Sequence, residues 1–265
     1  MTGAELRLAR LFGRDGGGAL VIAIDHGLNF GNISGAEDAV GLVERTAAAE
    51  PDGVLIAPGL LARTGHLLAH RGGPSLLVRT DFIVLDKRLE RYGDLHRVLC
   101  TPDEALRLGA DALVQYLVFG VRDGQTFADN LQSVARTAAA AHAVGLPLVA
   151  EVVLWGSQVE DRNDGELLAF GCRMAAEAGA DAIKTQYPGT PEAMARIIEG
   201  CPAPVLVLGG AKTDDVESLL QGTRDAMSAG ARGLVYGRNI WQADDPAAVA
   251  RSLREIVRST PAPTG

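Results

Sequence analysis

Short apolar runs alternate with amphipathic helical patterns along the whole chain, eight times over, at a pitch of about 30 residues. The apolar runs are Leu20 to Ile24, Val54 to Ala57, Leu76 to Thr80, Ala112 to Val118, Leu148 to Leu154, the run carrying Ala182-Ile183-Lys184, Val205 to Leu208, and Gly233 to Tyr236. A helical pattern follows each, and a further short one, residues 3 to 12, leads the first. Strands separated by helices cannot form hairpins with one another, so the alternation predicts a parallel sheet. Eight such units, with no dinucleotide fingerprint after the first strand, predict closure rather than an open doubly wound sheet. The expectation is an α/β protein folded as a single (β/α)8 TIM barrel, and the length of 265 residues suits one.

Punctuation along the chain agrees. The triplet Gly16-Gly17-Gly18 breaks the leading helix, Ser34 is read as the cap of the helix that runs to Ala49, and Thr101-Pro102-Asp103-Glu104 has capping-box spacing. No linker divides the chain, so residues 1–265 are read as one barrel domain. The stretch from about 81 to 101, between the third strand and its helix, is too long for a plain connection and is read as a lid, binding loop or local subdomain. The Pro/Thr/Gly tail at 259–265 is read as flexible.

Composition narrows the function. A net charge of −8 argues against a nucleic-acid surface. No apolar run reaches the length of a membrane span and the start has no signal-peptide pattern, so no membrane partner is expected and the location is read as cytoplasmic. Cys100, Cys172 and Cys201 are odd in number and form no CxxC pair, which fits reduced thiols.

Lysine is scarce: Lys87, Lys184 and Lys212 stand against 22 arginines, the remainder of 25 Lys plus Arg. An arginine cannot shed its proton to become an amine nucleophile, whereas a buried lysine can. Lys184 sits near the end of the sixth strand, on the inner face with Ala182. It is the candidate for imine formation, against the alternative of a buried ion-pair lysine.

Other polar residues gather at the same ends of the strands, where barrel enzymes keep their chemistry. Alternation puts Val21, Ala23 and Asp25 on one face of the first strand and Ile22 and Ile24 on the other, so Asp25 reaches the barrel mouth. Glu151, Val153 and Trp155 share a face of the fifth strand, and a carboxylate is too costly to aim into the helix layer, so Glu151 points inward, on the strand next to Lys184. His26 is read as a structural hydrogen-bonder, and Trp155 as packing or a substrate wall. Gly209-Gly210 and Gly237-Arg238 end the seventh and eighth strands, the recurrent place for a phosphate: glycines admit backbone N–H groups to an anion, and arginine binds its oxygens as a fork.

Taken together, Ile24-Asp25-His26-Gly27, Thr101-Pro102-Asp103-Glu104-Ala105, Gly109-Ala110-Asp111-Ala112, Ile183-Lys184-Thr185, Gly209-Gly210 and Gly237-Arg238-Asn239-Ile240-Trp241-Gln242 resemble the archaeal-type class I fructose-bisphosphate aldolase family. The resemblance spans about residues 15 to 258. That family also holds an amino-dideoxy-heptulosonate synthase and a phospho-autoinducer-2 thiolase. The resemblance implies a Schiff-base role for Lys184, proton and hydroxyl handling for Asp25, and a phosphate cradle at Gly209, Gly210, Gly237 and Arg238. It also implies no metal, no cofactor and a homo-oligomer. One departure stands out. The family's aldolases carry a Tyr-Pro-Arg-Gly-like stretch at the end of strand five, with the tyrosine as acid/base, where this chain has Val153-Leu154-Trp155-Gly156. The thiolase branch lacks that tyrosine too.

The resulting expectation is a metal-independent, Schiff-base enzyme that makes or breaks a C–C bond in a small phosphorylated keto compound. Acyl transfer, heptulosonate-type synthesis, and a phospho-ligand-binding or isomerase barrel without an imine are the alternatives.

Overall fold

The computed structural model describes residues 1–13 and 17–260; Gly16 of the expected breaker and residues 261–265 of the expected flexible tail lie outside the described residues. Eight strands close into a parallel barrel: β1 (Ala19–Ala23), β2 (Gly53–Ile56), β3 (Ser75–Arg79), β6 (Ala112–Val118), β7 (Leu148–Val153), β8 (Ala182–Gln186), β9 (Val205–Leu208) and β10 (Gly233–Tyr236), with β10 pairing back onto β1. The helices that follow these strands are α3 (Ala39–Ala48), α4 (Pro58–Thr64), α5 (Pro102–Arg107), α6 (Gly124–Ala143), α7 (Gly165–Glu177), α8 (Pro191–Gly200), α9 (Val216–Ser228) and α11 (Pro246–Ser259).

The two faces of each strand sort as alternation requires. Val21, Ala23, Leu55, Leu77, Val114, Val149, Ala182, Leu206 and Val235 form one buried cluster inside the barrel. Ile22, Val54, Val78, Leu113, Val152, Ile183, Val207 and Leu234 belong to the larger cluster against the helices. The bottom of the barrel is plugged by α1 (Gly3–Phe12), whose Leu11 and Phe12 join the inner cluster. Thr2 and Glu5 cap α1 reciprocally.

A repeated device sets strand register at this lower end. Asp52 accepts a hydrogen bond from the Leu20 amide at 2.8 Å, Asp111 from Leu76 at 3.0 Å and Asp181 from Leu148 at 2.8 Å. In each case the aspartate just before one strand satisfies the first free N–H of its neighbour, where the sheet has no further partner to offer. A slip of one residue would take that half-buried carboxylate from its amide and turn the strand inside out.

One local expectation needs correction. The cap of α3 is Asp38, whose side chain accepts from the Gly41 amide, and not Ser34. The chain between β1 and α3 instead forms a four-residue helix, α2 (Gly27–Phe30), set at the mouth of the barrel. The long stretch after β3 contains a two-stranded antiparallel hairpin, β4 (Asp81–Ile83) with β5 (His96–Val98), bridged by a 3-10 turn over Lys87–Tyr92. Its tip is tied across the mouth: Asp94 accepts from the Arg122 amide at 2.8 Å and the Ser157 hydroxyl at 2.7 Å. Another four-residue helix, α10 (Arg238–Trp241), follows β10 at once.

The plug makes a measurable claim. Leu11 is 3% exposed and Leu6, on the same helix, is 45% exposed. Leu11→Ala should lower unfolding free energy by about 2–5 kcal/mol, and Leu6→Ala should stay within about 0.5 kcal/mol, in urea titrations followed by circular dichroism.

Candidate active site

At the floor of the barrel mouth one guanidinium holds three carboxylates. Arg79 ends β3 on the inner face, in step with Leu77, and is fully buried. Its Nε donates to Asp25 Oδ2 at 2.9 Å, its Nη2 donates to Glu151 Oε2, and its Nη1 lies 3.5 Å from Asp81 Oδ1. The guanidinium carbon lies 3.8 Å from the centre of the Tyr116 ring, so the planar group is stacked as well as paired. The second oxygen of Glu151, Oε1, lies 2.7 Å from Lys184 Nζ. Their strands pair in register at this point, Tyr116 opposite Glu151 and Glu151 opposite Lys184. Four strand ends and the loop after β1 thus deliver Asp25, Arg79, Tyr116, Glu151 and Lys184 to one spot.

Charge at this spot is set by burial and by Arg79. Burial is the largest influence on Asp25 and acts to raise its pKa; Arg79, then Lys184 and His26, outweigh it and hold the carboxyl below its usual range. Burial likewise works against the Arg79 charge, but Tyr116, Glu151, Asp25 and Asp81 keep it protonated well above the ordinary arginine value. Burial pushes Tyr116 well up, so it remains a phenol. Asp81 also binds the hairpin, accepting from the Tyr116 amide at 2.8 Å and lying 2.9 Å from His96 Nε2.

Above the floor opens a cleft of about 1160 Å³, walled by the strand ends, α2 and the hairpin. On one side the turn after β9 lies against α10. Arg238 Nη2 donates to Gly210 O at 3.1 Å, and Asn239 Nδ2 donates to Gly209 O at 2.6 Å and Ala211 O at 3.0 Å. Glycine is required here by closeness: a Cβ on Gly237 would fall 2.4 Å from His26 Cε1, and one on Gly209 would fall 2.9 Å from the Tyr236 ring. Gly209, Gly210, Gly237 and Arg238 therefore share one corner of the cleft.

The remaining candidates fall as follows. Trp155 lines the cleft with its ring 6.0 Å from that of Tyr116. His26 immediately precedes α2, and its Nδ1 makes no hydrogen bond; the ring is held edge-on by Trp241 at 5.4 Å, so packing rather than the expected hydrogen bond fixes it. Val153 is fully buried in an apolar ring with Ile83, Tyr116, Val118 and Leu208. Tyr187, a weaker acid/base candidate just past the end of the sixth strand, lines the cleft, with its hydroxyl 3.4 Å from Asp225 on α9. Lys212 pairs with Asp214 at 2.8 Å, and Lys87 is exposed on the hairpin. Sequence reasoning missed Arg79 and Asp81. Alternation was the available signal, since Leu77 and Arg79 share the inner face of β3 just as Ala23 and Asp25 share that of the first strand. Among the described residues no group of three or more His, Cys, Asp or Glu side chains is placed to hold a metal ion, and no helix is long and apolar enough to cross a membrane.

Comparison with known proteins gives the geometry a context. Residues 19–243 match the sequence profile described as "DeoC/LacD family aldolase". The chain is 34% identical over 260 residues to an uncharacterized aldolase of Saccharolobus solfataricus, covering 97% of this chain and 95% of that one. It is 31% identical over 259 residues to the 2-amino-4,5-dihydroxy-6-oxo-7-(phosphonooxy)heptanoate synthase of Streptomyces griseus, covering 97% and 90%. Among solved structures it superimposes with a TM-score of 0.82, at 27% identity and over 96% and 99% of the two chains, on an archaeal fructose-1,6-bisphosphate aldolase whose catalytic lysine is covalently bound to the carbinolamine intermediate of its substrate.

His26 offers a test of the electrostatics. Burial lowers its pKa from 6.5 to about 4; Asp25 opposes the shift, and Arg238 and Lys184 add to it. Between those values the unfolded chain binds a proton that the folded chain refuses. The contribution of His26 to stability is therefore complete above about pH 6.5 and declines as pH falls toward about 4. Thermal melts across that window should show a shallower acid-side loss in His26→Gln than in the parent.

Proposed function

The chain belongs to the DeoC/LacD aldolase family, and on that premise we propose that Lys184 forms an imine with the carbonyl of a small phosphorylated keto compound in the course of making or breaking a C–C bond. The carrying observation is the 2.7 Å contact between Lys184 Nζ and Glu151 Oε1 at the buried floor of the cleft. Only a neutral amine attacks a carbonyl, and Glu151 stands where the ammonium proton can go. The other two lysines have no such setting.

The protonated imine is an electron sink. It accepts the bonding pair when the adjacent C–C bond breaks and yields an enamine that can attack an aldehyde in the opposite direction. Asp25 and Glu151 are the carboxyl groups within this floor that can handle the protons. Tyr116, held as a phenol, can hydrogen-bond a substrate oxygen from the β6 side. The corner formed by Gly209-Gly210 and Gly237-Arg238 is the proposed seat of the phosphate, with Arg238 supplying charge and the glycines leaving room for backbone contact. Trp155 walls the other side, and His26 supports the phosphate corner from beneath Gly237.

The substrate of the fructose-bisphosphate aldolases is not the expected one. Val153, buried among apolar side chains, offers no acid/base group at the end of β7, and Trp155 stands where those enzymes are implied to have an arginine. Acyl transfer by the same imine logic is the second reading, and the same missing tyrosine favours it.

Borohydride with a panel of phosphorylated ketones should trap an adduct on the peptide that contains Lys184. The adduct should vanish in Lys184→Arg, and fructose 1,6-bisphosphate should be among the poorest of the panel. Labelling of Lys87 or Lys212, or none with any ketone, would overturn the imine. Arg238→Ala should weaken phosphorylated ligands by about 1.5–3 kcal/mol, a tenfold or greater loss, with little effect on their unphosphorylated analogues in calorimetric titrations.

A further inference from the structure

Asp25 and Glu151, the two of the three floor carboxylates that line the cleft, are equivalent in chemistry but not in what they touch. Each gives one oxygen to Arg79. Glu151 gives Oε2 and keeps Oε1 against Lys184 Nζ at 2.7 Å. Asp25 gives Oδ2, at 2.9 Å from Arg79 Nε, and keeps Oδ1 beside His26 Nδ1 at 3.7 Å, too far for a hydrogen bond. Glu151 therefore lies between two cations with both oxygens engaged, whereas Asp25 Oδ1 accepts no hydrogen bond among the described residues. Arg79 cannot turn to exchange them. Its guanidinium is a rigid plane, fully buried, with Tyr116 against its face and Asp81 at its third corner.

We infer that Arg79 is a positioning residue that divides the proton work, directing Glu151 to the nitrogen of Lys184 and leaving Asp25 Oδ1 for the substrate. This rests on the imine reading above. Neither Arg79 nor the pairing of Glu151 with the lysine belongs to what the resemblance implies, and Asp25 is narrowed from general proton handling to one side of the reaction.

The division fixes each step. The Lys184 ammonium passes one proton to Glu151, and the neutral amine bonds to the carbonyl carbon while the carbonyl pair moves onto oxygen. That oxygen collects the proton held by Glu151 and one released from nitrogen, and leaves as water. The product is a protonated imine, and Glu151 is again a carboxylate. Asp25 Oδ1 then takes the proton of the substrate hydroxyl. The C–C bond breaks, its electron pair flows into the imine to give the enamine, and an aldehyde departs. Asp25 returns its proton to the enamine carbon, and water hydrolyses the regenerated imine. The reverse of that last proton transfer is exchange of a C–H proton of the bound ketone with solvent. Glu151 thus serves formation and hydrolysis of the C–N bond, and Asp25 serves the carbon skeleton.

Dihydroxyacetone phosphate in D2O separates the two duties with one probe. Borohydride trapping reads imine formation, and proton NMR reads C–H exchange. Asp25→Asn should trap within about threefold of the parent rate yet lose C–H exchange by about a hundredfold or more. Glu151→Gln should lose about tenfold or more in trapping itself. Arg79→Gln should be slowed in both. The acid limb of its exchange profile should also move upward, because Arg79 is the strongest of the charges that hold Asp25 down, ahead of Lys184 and His26. Equal loss of trapping in Asp25→Asn and Glu151→Gln would overturn the division, as would an unmoved acid limb in Arg79→Gln. Circular dichroism establishes whether Arg79→Gln folds. If it does not, Arg79→Lys keeps a buried cation, and a partial return of exchange with the acid limb near its parent position is then the expected result; exchange equal to the parent at every pH would count against a specific role for the guanidinium fork. Absence of trapping in the parent fails the imine reading itself, a result distinct from trapping that is present but undivided.

Discussion

Everything at the mouth of this barrel depends on one buried cation. Taking a guanidinium and its carboxylate partners out of water is costly, and mutual attraction offsets that cost only when the geometry is good and the remaining donors and acceptors are satisfied. Arg79 meets the condition through partners that no single element could supply. Asp25 comes from the loop after β1, Asp81 from the start of the hairpin and Glu151 from β7, while the Tyr116 ring from β6 covers the face. The arrangement exists only once the barrel has closed. Conversely, removal of Arg79 would take from three buried carboxylates the cation they share, leaving Glu151 only Lys184 and Asp81 only His96 and the Tyr116 amide, a far larger perturbation than loss of a surface ion pair.

The same interaction explains why the hairpin is more than a cover. Asp81 is at once the third partner of Arg79 and the first residue of β4, and His96 on β5 lies 2.9 Å from its other oxygen. The insertion that walls the cleft is therefore wired to the floor through a single side chain. Its tip is held separately, by Asp94 against the loops that follow β6 and β7.

Much of this was legible in the sequence, and the reason is periodicity. The eightfold alternation carried the barrel, and strand alternation carried the inward face of Asp25, Glu151 and Lys184, because a two-residue repeat needs no knowledge of the partner strand. The reading broke down where a residue's meaning depends on something distant in sequence. Arg79 looks like one of 22 arginines until its three partners, 54, 2 and 72 residues away, are in place. Ser34 is a plausible cap by residue type, but α2 takes up the chain before it and the helix is capped four residues later, by Asp38. His26 was expected to hydrogen-bond, and its aromatic neighbour Trp241 lies 215 positions downstream. The missing tyrosine was visible, but its neighbour Tyr116 on the adjoining strand gained weight only when register brought it opposite Glu151.

The aspartates at the lower end of the barrel have an evolutionary consequence. Asp52, Asp111 and Asp181 fix strand register from the side opposite the cleft, each through its carboxylate and a backbone amide of the neighbouring strand. None of them takes part in the charge network at the floor of the mouth. A lineage can therefore exchange a tyrosine for Val153, or an arginine for Trp155, without loosening the frame on which such residues are displayed. Alignment of the strands is secured at one pole of the molecule, and chemical experiment is confined to the other. A scaffold divided in this way can change what it acts upon while keeping how it folds.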